Sequence, residues 1–445
     1  RLVAQGFTQV WGEDYNEVYA PVTRSSSFRI LLSQAGINKY FIRQFDVTTA
    51  FLNGSLKEEI FMEQPPGFSV DGRVCKLNKS LYGLKQAAKE WYDKLNKVLL
   101  SIGFKRSDED PCMYKYQADQ NLCYVIVHVD DFLFGATSDE LIEMLAKKIG
   151  QFFELKDCGE VKHFLGIDIY KEHDGVYAIN QETYINQIAR ELQLENVKPH
   201  YYPLDPGYHQ IDDDNYLENN HQYRKIIGML IYVSTNSRPD IAASVGILSQ
   251  RVSKPRKIDL TESLRVVKYL ITSKQLKLRL SNCCQEITAY TDADYAGDRT
   301  DYKSRSGFTC FVNGGLIEWM SRKQTAFASS STEAEYYALC ETAKEVVYLK
   351  KILAEFDIKT ASPVNIFCDN QSTLAMLHGE KFSRTTKHMA VKFHYLKDIL
   401  ERQIINVSYV PTTKNISDLL TKPLPRHSIE KLSLIHISEP TRQAE

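Results

Sequence analysis

Two adjacent aspartates interrupt the most strand-like run of the chain, "CYVIVHVDDFLFG" at Cys123–Gly135. Residues such as Val, Ile, Tyr and Phe favour β-strands, and strands of this kind are usually buried in a sheet. Because burying an unpaired carboxylate costs several kcal/mol, another interaction must stabilise Asp130 and Asp131. One explanation is a β-hairpin with "DD" as its tight turn, which leaves both side chains in water. The other is a divalent cation bound by both carboxylates.

The length and composition indicate a multidomain globular protein. A chain of 445 residues is too long for one ordinary core and suggests two or three domains. Its 43% hydrophobic and 25% charged residues are typical of soluble proteins. We see no apolar run that could span a bilayer and no secretory leader, so we expect no membrane association and a cytoplasmic location. Nine cysteines without a C-x-x-C pair argue against a zinc site or a disulfide framework.

Charge gives a weaker indication of the binding partner. The net charge of −1 is no general sign of nucleic-acid binding. One stretch, "KLNKSLYGLKQAAKEWYDKLNK", interleaves lysines with aromatic residues, as a groove for a nucleic-acid backbone would. A solvent-exposed helix face with paired charges explains the same stretch equally well.

The pattern of strand-like and helical stretches changes along the chain. Residues 1–197 alternate the two, for example with a predicted helix over Ala87 to Ile102, which is an α+β pattern. Residues 198–285 comprise a proline-containing acidic stretch, interpreted as a surface connection, and then a helical region. Residues 286–425 contain strands, a hairpin signal at "NGG" and a long amphipathic helix over "STEAEYYALCETAKEVVYLKKILAEF". We therefore predict a compact mixed-sheet domain there.

Both ends of the chain look atypical. The chain begins at Arg1 without a Met, so we expect a fragment of a longer translation product. Residues 426–445 fit neither pattern, and "SLIHISEPTRQAE" resembles translated adaptor sequence. We therefore expect an artefactual or disordered tail outside the fold.

A metal site for phosphoryl transfer needs several carboxylates in one place, because two Mg²⁺ ions about 4 Å apart must be ligated. Asp46, at the end of "FIRQFD", is a third candidate beside Asp130 and Asp131. Neighbouring side chains of a regular strand point to opposite faces. Asp130 and Asp131 can therefore share a site only where a tight turn breaks the alternation, so the hairpin and the metal explanation are compatible.

The long helix of the last domain carries two glutamates near its start. Each completes a capping-box pattern, Ser330 with Glu333 and Thr332 with Glu335. At about 100° per residue, Glu335 falls on the apolar stripe that includes Leu339, and Glu333 lies nearly opposite. We therefore expect only Glu335 to face the core.

Three aspartates could join Glu335 in a second metal site. Asp292 and Asp369 end strand-like runs, in "YTDADY" and "FCDNQ". Asp418 in "NISDLLTK" is a further candidate, although a helix N-cap would explain it as well. Helical periodicity does not establish that the four side chains converge.

Eleven motifs, taken in order, resemble the reverse transcriptase and ribonuclease H region of a copia-type LTR retrotransposon polyprotein. They are "RLVAQGFTQ", "DYNEVYAPV", "FDVTTAFLNGSLKEEIFMEQPPGF", "KLNKSLYGLKQAAKEWY", "VDDFLFG", "LKDCGEVKHFLGIDI", "YRKIIGMLIYVSTNSRPDI", "TDADYAGD", "SSSTEAEYYAL", "DNQSTLAML" and "TKNISDLLTKPL". The resemblance covers residues 1 to about 425. It implies an α+β fold, in which a right-hand polymerase (partial fingers, palm and a thumb or connection region) is followed by a ribonuclease H-like α/β domain with a mixed sheet.

The resemblance implies two catalytic sites, each with two Mg²⁺ ions, for which Mn²⁺ is a possible substitute. Asp46, Asp130 and Asp131 match the metal-binding aspartates of the polymerase, which extends a DNA primer on an RNA template with dNTPs. A second set matches the ribonuclease H carboxylates, which act on the RNA strand of an RNA:DNA hybrid. This set, the carboxylate quartet, consists of Asp292, Glu335, Asp369 and Asp418.

Other residues match substrate-binding positions of the family. Phe51 matches the aromatic gate that selects deoxynucleotides, although a plain core aromatic would explain it as well. Tyr82 and Gly83 match a motif that packs against the incoming nucleotide and the template, and Lys156 lies near the family's general-acid Lys. The "HFLGIDI" segment resembles the primer-grip hairpin, and His388 matches a histidine near the ribonuclease H site.

Three positions depart from the family pattern. His128 stands for the usual Tyr, Ala88 for a Pro, and Thr48 for a common Lys. None of these changes removes a metal ligand. His128 could add a pH-sensitive charge beside the aspartates.

The resemblance also implies a longer Pol polyprotein, with protease and integrase regions upstream, that works in a cytoplasmic virus-like particle. Two alternatives stay open. A decayed or domesticated copy would bind nucleic acid without catalysis. A metal-dependent nuclease with a non-catalytic first domain would require Asp46 to lie far from Asp130 and Asp131.

Overall fold

The computed structural model of the protein describes residues 2–172, 174–211, 213, 215–281, 286–379, 390–433 and 437–438. The chain divides into two compact units, Arg1–Val161 and Lys162–Glu445. The predicted boundary after residue 197 differs from this division, which falls directly after a strand that ends at Glu160.

The first unit is built around an antiparallel sheet. Its elements are α1 (Ser25–Asn38), β1 (Phe41–Val47), β2 (Phe61–Met62), β3 (Cys75–Lys76), α2 (Ala87–Ile102), β4 (Lys105–Arg106), β5 (Met113–Ala118), β6 (Asn121–His128), β7 (Asp131–Ala136), α3 (Asp139–Ile149) and β8 (Leu155–Glu160). The strand order is β4-β5-β6-β7-β1-β8, and every neighbouring pair in it is antiparallel. Helix α2 has the bounds that the sequence predicts.

Helices cover both faces of this sheet at β7. Phe132 and Phe134 belong to a buried cluster that also contains side chains of α2 and α3. The alternate residue Gly135 faces α1, where an added Cβ would come within 2.7 Å of the Leu31 side chain. Because both faces are covered, the strands around Asp130 and Asp131 read as continuous apolar runs.

The start of helix α1 depends on a residue far away in the sequence. The N-cap residue Arg24 makes no capping bond with its own side chain. Instead, the Asp110 carboxylate accepts hydrogen bonds from the Arg24 N–H at 3.0 Å, the Ser27 hydroxyl at 2.6 Å and the Thr23 hydroxyl at 3.2 Å. A negative charge at a helix N-terminus is favourable, so Asp110 joins α1 to the loop before β5.

The second unit begins with a small sheet packed on helices. Its elements are β9 (His163–Phe164), β10 (Ile167–Lys171), β11 (Tyr177–Asn180), α4 (Glu182–Glu191), α5 (His221–Asn236), α6 (Ala242–Leu248), α7 (Lys257–Thr272) and β12 (Lys277–Arg279). The order of this sheet is β18-β12-β11-β10-β9, in which β18 (Ile437–Ser438) comes from the end of the chain. Between α5 and α6, the fully buried Arg238 forms an ion pair with Asp240 at 2.6 Å.

The rest of the second unit is the predicted mixed-sheet domain. Its elements are β13 (Ile287–Asp294), β14 (Arg305–Val312), β15 (Gly315–Lys323), α8 (Ser331–Glu355), β16 (Val364–Cys368), α9 (Gln371–His378), α10 (Ala390–Glu401), β17 (Ile405–Tyr409) and α11 (Arg426–Ser433). The strand order is β15-β14-β13-β16-β17, with β13, β16 and β17 parallel and the others antiparallel. The predicted hairpin is confirmed, since Asn313 and Gly314 both have positive φ in the turn between β14 and β15.

Two sequence-based predictions about irregular segments are wrong in part. The predicted surface connection contributes Leu204 and Tyr208 to a buried cluster, because the Tyr208 hydroxyl donates to the buried Asp259 carboxylate at 2.7 Å. The predicted tail begins with the helix α11, whose Ile429 and Leu432 belong to the same cluster. Both segments carry isolated apolar residues that the helices of the unit cover.

The predicted α+β fold class is confirmed. Among the residues described, no helix combines the length and apolarity needed to cross a membrane.

Candidate active sites

The two adjacent aspartates lie at a tight hairpin between β6 and β7. The turn residues are Val129 and Asp130, and His128 pairs with Asp131 across the hairpin. The prediction of "DD" as the turn is therefore wrong by one residue, since Asp131 is already the first residue of β7. The apolar pairing of Val127 with Phe132 sets this register, because a slip of one residue would reverse the faces of every side chain.

A row of polar side chains crosses three strands next to this turn. Asp46 of β1 pairs with Asp131 of β7 on one side and with Lys156 of β8 on the other. Directly opposed residues in a sheet have Cβ atoms about 4.5–5.5 Å apart and share a face. Asp46 thus lies beside the hairpin, contrary to what a non-catalytic first domain would require. Lys156, matched only loosely in the sequence, lies next to Asp46.

Sequence reasoning missed Gln44 in this row. The Gln44 side-chain amide donates to the Asp131 carboxylate at 3.1 Å. Gln44 lies two residues before Asp46 on the same strand, so the two side chains point to the same face of the sheet. The alternation within "FIRQFD" was a signal that could have identified it.

The neighbouring carboxylates add to the cost of charging Asp131. Burial raises the pKa of the Asp131 carboxyl; the hydrogen bond from Gln44 opposes this rise, and the charges of Asp130 and Asp46 add to it. A bound divalent cation would remove this repulsion. The three aspartates offer carboxylate oxygens as ligand atoms, which Mg²⁺ prefers.

His128 lies beside the aspartates, and its burial disfavours the charged form of the imidazole. Burial lowers the pKa of His128 below its ordinary value of 6.5, although the charges of Asp131 and Asp130 act in the opposite direction. The direction of this pKa shift opposes the expected charge on His128.

The predicted nucleotide-binding residues also come together. The rings of Phe51 and Tyr82 are in contact, with centroids 4.6 Å apart. Gly83 has a φ of +96°, and an added Cβ would lie 2.1 Å from the Ala4 carbonyl oxygen. The Ala4 N–H in turn donates to the Tyr82 carbonyl at 2.7 Å. Only glycine fits this close approach of two backbone segments.

The "HFLGIDI" segment forms the hairpin of β9 and β10 in the second unit. Leu165 and Gly166 make its turn with positive φ values. The Tyr232 hydroxyl of α5 donates to the Leu165 carbonyl oxygen. The predicted hairpin is thus present and is held by a helix.

The carboxylate quartet converges at one edge of the mixed sheet. Asp292 lies near the end of β13, and Asp369 directly follows the neighbouring parallel strand β16. Glu335 comes from the first turns of α8, which packs on β13. Asp418 lies in a 3-10 helix, Ile416–Leu420, that is tied to β13 because the Ser417 hydroxyl donates to the Tyr290 carbonyl at 2.9 Å.

The alternative explanations by capping are settled by the hydrogen bonds. The N-cap of the 3-10 helix is Asn415, so Asp418 does not cap it. Ser330 caps α8 as predicted. The expectation that only Glu335 faces the core is wrong, since Glu333 is buried too. Its carboxylate accepts hydrogen bonds from the Ser329 N–H and the Tyr337 hydroxyl, which makes this burial tolerable.

Glu335 differs from Glu333 because its buried carboxylate is incompletely paired. The Glu335 side chain is only 6% exposed, and its Oε2 atom has no hydrogen-bond partner. Burial raises the pKa of Glu335 to about 9, and the charges of Asp292 and Asp369 contribute to the rise. Burial likewise raises the pKa of Asp292 to about 7, and the charges of Asp418 and Asp369 add to that rise. Four carboxylates with an unpaired buried oxygen fit a divalent cation.

Sequence reasoning missed three neighbours of the quartet. The Thr421 hydroxyl donates to Asp292, and the Lys422 ammonium pairs with Asp418. Cys368 offers a sulfur atom that lies within 4.8 Å of ligand atoms of Glu335 and Asp369. Thr421 and Lys422 directly follow the "SDLL" that contains Asp418, so their proximity in sequence was the available signal. His388, matched from the family, falls outside the described residues.

Comparisons with known proteins test the family inferred from the motifs. Residues 1–206 match the family described as reverse transcriptase (RNA-dependent DNA polymerase). Over 307 residues the chain is 31% identical to a putative transposon Ty5-1 protein of Saccharomyces cerevisiae, and the match covers 68% of this chain and 100% of that protein. The chain belongs to the copia-type retrotransposon Pol polyproteins. This membership confirms the family inferred from the sequence motifs.

A longer relative shows how much of a Pol polyprotein is present. The chain is 35% identical over 443 residues to the retrovirus-related Pol polyprotein from transposon TNT 1-94 of Nicotiana tabacum. The match covers 97% of this chain and 33% of that relative, so the chain spans about a third of its length.

A solved structure of a foamy viral protease-reverse transcriptase in complex with double-stranded DNA also matches the chain. It is 11% identical, with a TM-score of 0.47, and the match covers 84% of this chain and 57% of that one.

Proposed function

We propose that the chain is an RNA-directed DNA polymerase joined to a ribonuclease that cleaves the RNA strand of an RNA:DNA hybrid. The observation that carries the proposal is the gathering of two separate groups of carboxylates by long-range strand pairing. One group forms around the pairing of Asp46 with Asp131, and the other around the parallel strands that end near Asp292 and Asp369. Membership of the copia-type family supports both assignments.

In the polymerase, Asp46, Asp130 and Asp131 would hold two Mg²⁺ ions. When bound, these ions would lower the pKa of the primer 3′-hydroxyl and stabilise the pyrophosphate leaving group. Asp46 and Asp131 offer oxygens from one face of the sheet, and Gln44 orients Asp131. Lys156 supplies a positive charge beside Asp46 for the departing phosphates.

Nucleotide selection would depend on Phe51. Its ring packs against Tyr82, whose backbone is fixed through Ala4. A ring held in this way can exclude a ribose 2′-hydroxyl without moving, which would favour deoxynucleotides.

In the ribonuclease, the carboxylate quartet would hold two Mg²⁺ ions. When bound, these ions would activate a water molecule for attack on the phosphodiester of the RNA strand. Thr421 orients Asp292, and Lys422 balances part of the charge at Asp418. The 2′-hydroxyl groups and the groove shape of the hybrid would distinguish it from DNA.

The wider setting follows from the family. The partners would be an RNA template, a DNA primer, dNTPs and the hybrid product. The chain would act as part of a Pol polyprotein with protease and integrase regions upstream, inside a cytoplasmic virus-like particle.

Two assays on the same preparations test the proposal. The first is primer extension on an RNA template with dNTPs and Mg²⁺, and the second is cleavage of a labelled RNA:DNA hybrid. We expect Asp130→Asn to abolish extension and keep cleavage, and Asp292→Asn to abolish cleavage and keep extension. Each variant thus serves as the folding control for the other. An unmutated chain that binds the hybrid but does neither reaction, with Mg²⁺ or Mn²⁺, would support the non-catalytic alternative instead.

A further inference from the structure

The turn that carries Asp130 has an unfavourable backbone. Val129 has a φ of +59°, in the left-handed region that β-branched residues rarely adopt. Where the first residue of a two-residue hairpin turn needs a positive φ, that residue is commonly Gly, because Gly has no Cβ to disfavour this conformation. Strain of this kind persists only where surrounding contacts maintain it. The contacts that hold Val129 are therefore of functional interest.

Two hydrogen bonds hold the carbonyl groups of this turn. The indole N–H of Trp91 donates to the Val129 carbonyl at 2.6 Å. The N–H of Val47 donates to the Asp130 carbonyl at 2.8 Å. Val47 directly follows Asp46, so the second bond connects the turn to the strand of the third aspartate. The first bond connects it to helix α2.

The Trp91 side chain is itself firmly held. It is 2% exposed and belongs to the cluster between the sheet and helices α2 and α3. The Phe153 ring contacts it edge-on, with centroids 4.9 Å apart. A donor that cannot rotate away defines the position of the carbonyl it binds.

We propose that Trp91 is a positioning residue for the polymerase aspartates. Its N–H keeps Val129 in the strained conformation, and this conformation presents Asp130 beside Asp131 and Asp46. The inference rests on the proposed polymerase function, but its structural part can be tested without it. A Trp that only fills space would use its ring alone, and its N–H would make no difference to the turn.

The first test removes the donor and keeps one aromatic ring in place of the two-ring indole. The variant is Trp91→Phe, and the matched control is Trp319→Phe. Trp319 is another buried Trp, and its N–H donates to the Ser234 carbonyl at 2.9 Å, in the second unit. We expect Trp91→Phe to lower kcat for nucleotide addition by about tenfold to a hundredfold, with a change of about twofold or less in KM for dNTPs, since small displacements at a reacting centre have effects of this size. Trp319→Phe should leave kcat unchanged.

The second test uses the strain itself. Val129→Gly relieves the unfavourable φ, so the turn should then depend much less on Trp91. We expect the effect of Trp91→Phe on kcat to fall to about threefold or less in the Val129→Gly background, a clear departure from additivity for residues in contact. Independent, multiplicative effects of the two substitutions would overturn the proposal.

The third test does not depend on activity. Hydrogen exchange of the peptide that spans β6, the turn and β7 should accelerate in Trp91→Phe, remain unchanged in Trp319→Phe, and respond little to Trp91→Phe once Val129 is Gly. Unchanged exchange in Trp91→Phe refutes the proposal even if the chain is an active polymerase. Accelerated exchange in a chain without polymerase activity would instead refute the proposed function and leave the positioning role intact.

A second variant covers the case in which Trp91→Phe does not fold. Replacement of Trp91 by 3-benzothienylalanine keeps the two-ring shape and substitutes sulfur for the N–H. The same kcat decrease and the same faster exchange are expected. A benzothienyl variant that matches the unmutated chain in both measurements rules out the role of the N–H.

Discussion

Without divalent cations, the free energy of unfolding around β13 should fall as pH rises, and Glu335→Gln should remove much of this dependence. The pKa of Glu335 rises from an ordinary value of 4.5 to about 9 because of burial and the charges of Asp292 and Asp369. Between these two values the folded protein holds a proton on Glu335 that the unfolded chain has lost. Because the folded state binds more protons, its stability decreases with increasing pH throughout this window.

The size of the effect follows from the linkage relation. One proton bound only in the folded state changes the free energy of unfolding by about 1.4 kcal/mol per pH unit. Between pH 5 and pH 7 the metal-free protein should therefore lose about 3 kcal/mol through Glu335, relative to the Gln variant. Asp292, whose pKa is raised to about 7, titrates in the same range and is coupled to Glu335. The difference in pH dependence between the unmutated chain and Glu335→Gln therefore measures the combined titration of Glu335 and Asp292.

Hydrogen exchange of β13 and α8 amides in EDTA, corrected for intrinsic rates, measures this free energy locally. The unmutated chain, Glu335→Gln and Glu341→Gln are compared at several pH values. Glu341 lies on the same helix and pairs with Lys344 at 2.7 Å outside the quartet, so its replacement controls for the loss of any glutamate. Parallel pH profiles for the unmutated chain and Glu335→Gln would refute the reasoning. Saturating Mg²⁺ should flatten the profile of the unmutated chain, because cation binding displaces the protons.

Three further substitutions test the packing. Asp240→Asn should lower the free energy of unfolding, measured in urea, by about 3–5 kcal/mol, because it leaves the buried charge of Arg238 without a counter-ion. A change near zero would show that the ion pair is dispensable for stability. Asp110→Ala should lower the free energy of unfolding by about 2 kcal/mol and accelerate amide hydrogen exchange in the first turn of α1, since that turn loses its hydrogen-bond acceptor. Unchanged exchange in that turn would show that Asp110 does not cap the helix. Gly83→Ala should lower stability by about 2 kcal/mol or more, measured by thermal unfolding, because the Cβ meets the Ala4 carbonyl at a strained φ; an unaltered melting temperature would exclude this strain.

Local features of the fold were predictable from the sequence. The bounds of α2 and the start of α8 follow from helical periodicity and capping residues, which depend on near neighbours. The hairpin at Asn313 follows from turn chemistry. Isolated apolar residues such as Tyr208 and Ile429 gave no periodic pattern. The sequence therefore predicts a surface connection around Tyr208 and a tail outside the fold around Ile429, although the structure buries both side chains.

The candidate sites show the same contrast between features that local sequence predicts and features that depend on the rest of the structure. The order of the family motifs selected the carboxylates, and the helical stripe pointed to Glu335. The position of the "DD" turn was missed by one residue, because the pairing of β6 with β7 fixes it and this pairing depends on the packing of the whole sheet. The burial of Glu333 was missed for a different reason: the apolar stripe of the helix does not register the hydrogen bonds from Ser329 and Tyr337 that allow a carboxylate outside that stripe to be buried.

The sequence by itself determined the family and the α+β fold class and predicted the candidate carboxylates, because these depend on residue types in a fixed order. Only the tertiary structure decided that Asp46 lies between Asp131 and Lys156, that Asp110 caps α1, and that Trp91 binds the turn before Asp131. The physical reason is that these contacts join residues far apart in the chain. Their geometry is set by strand register and side-chain packing, to which local periodicity is insensitive.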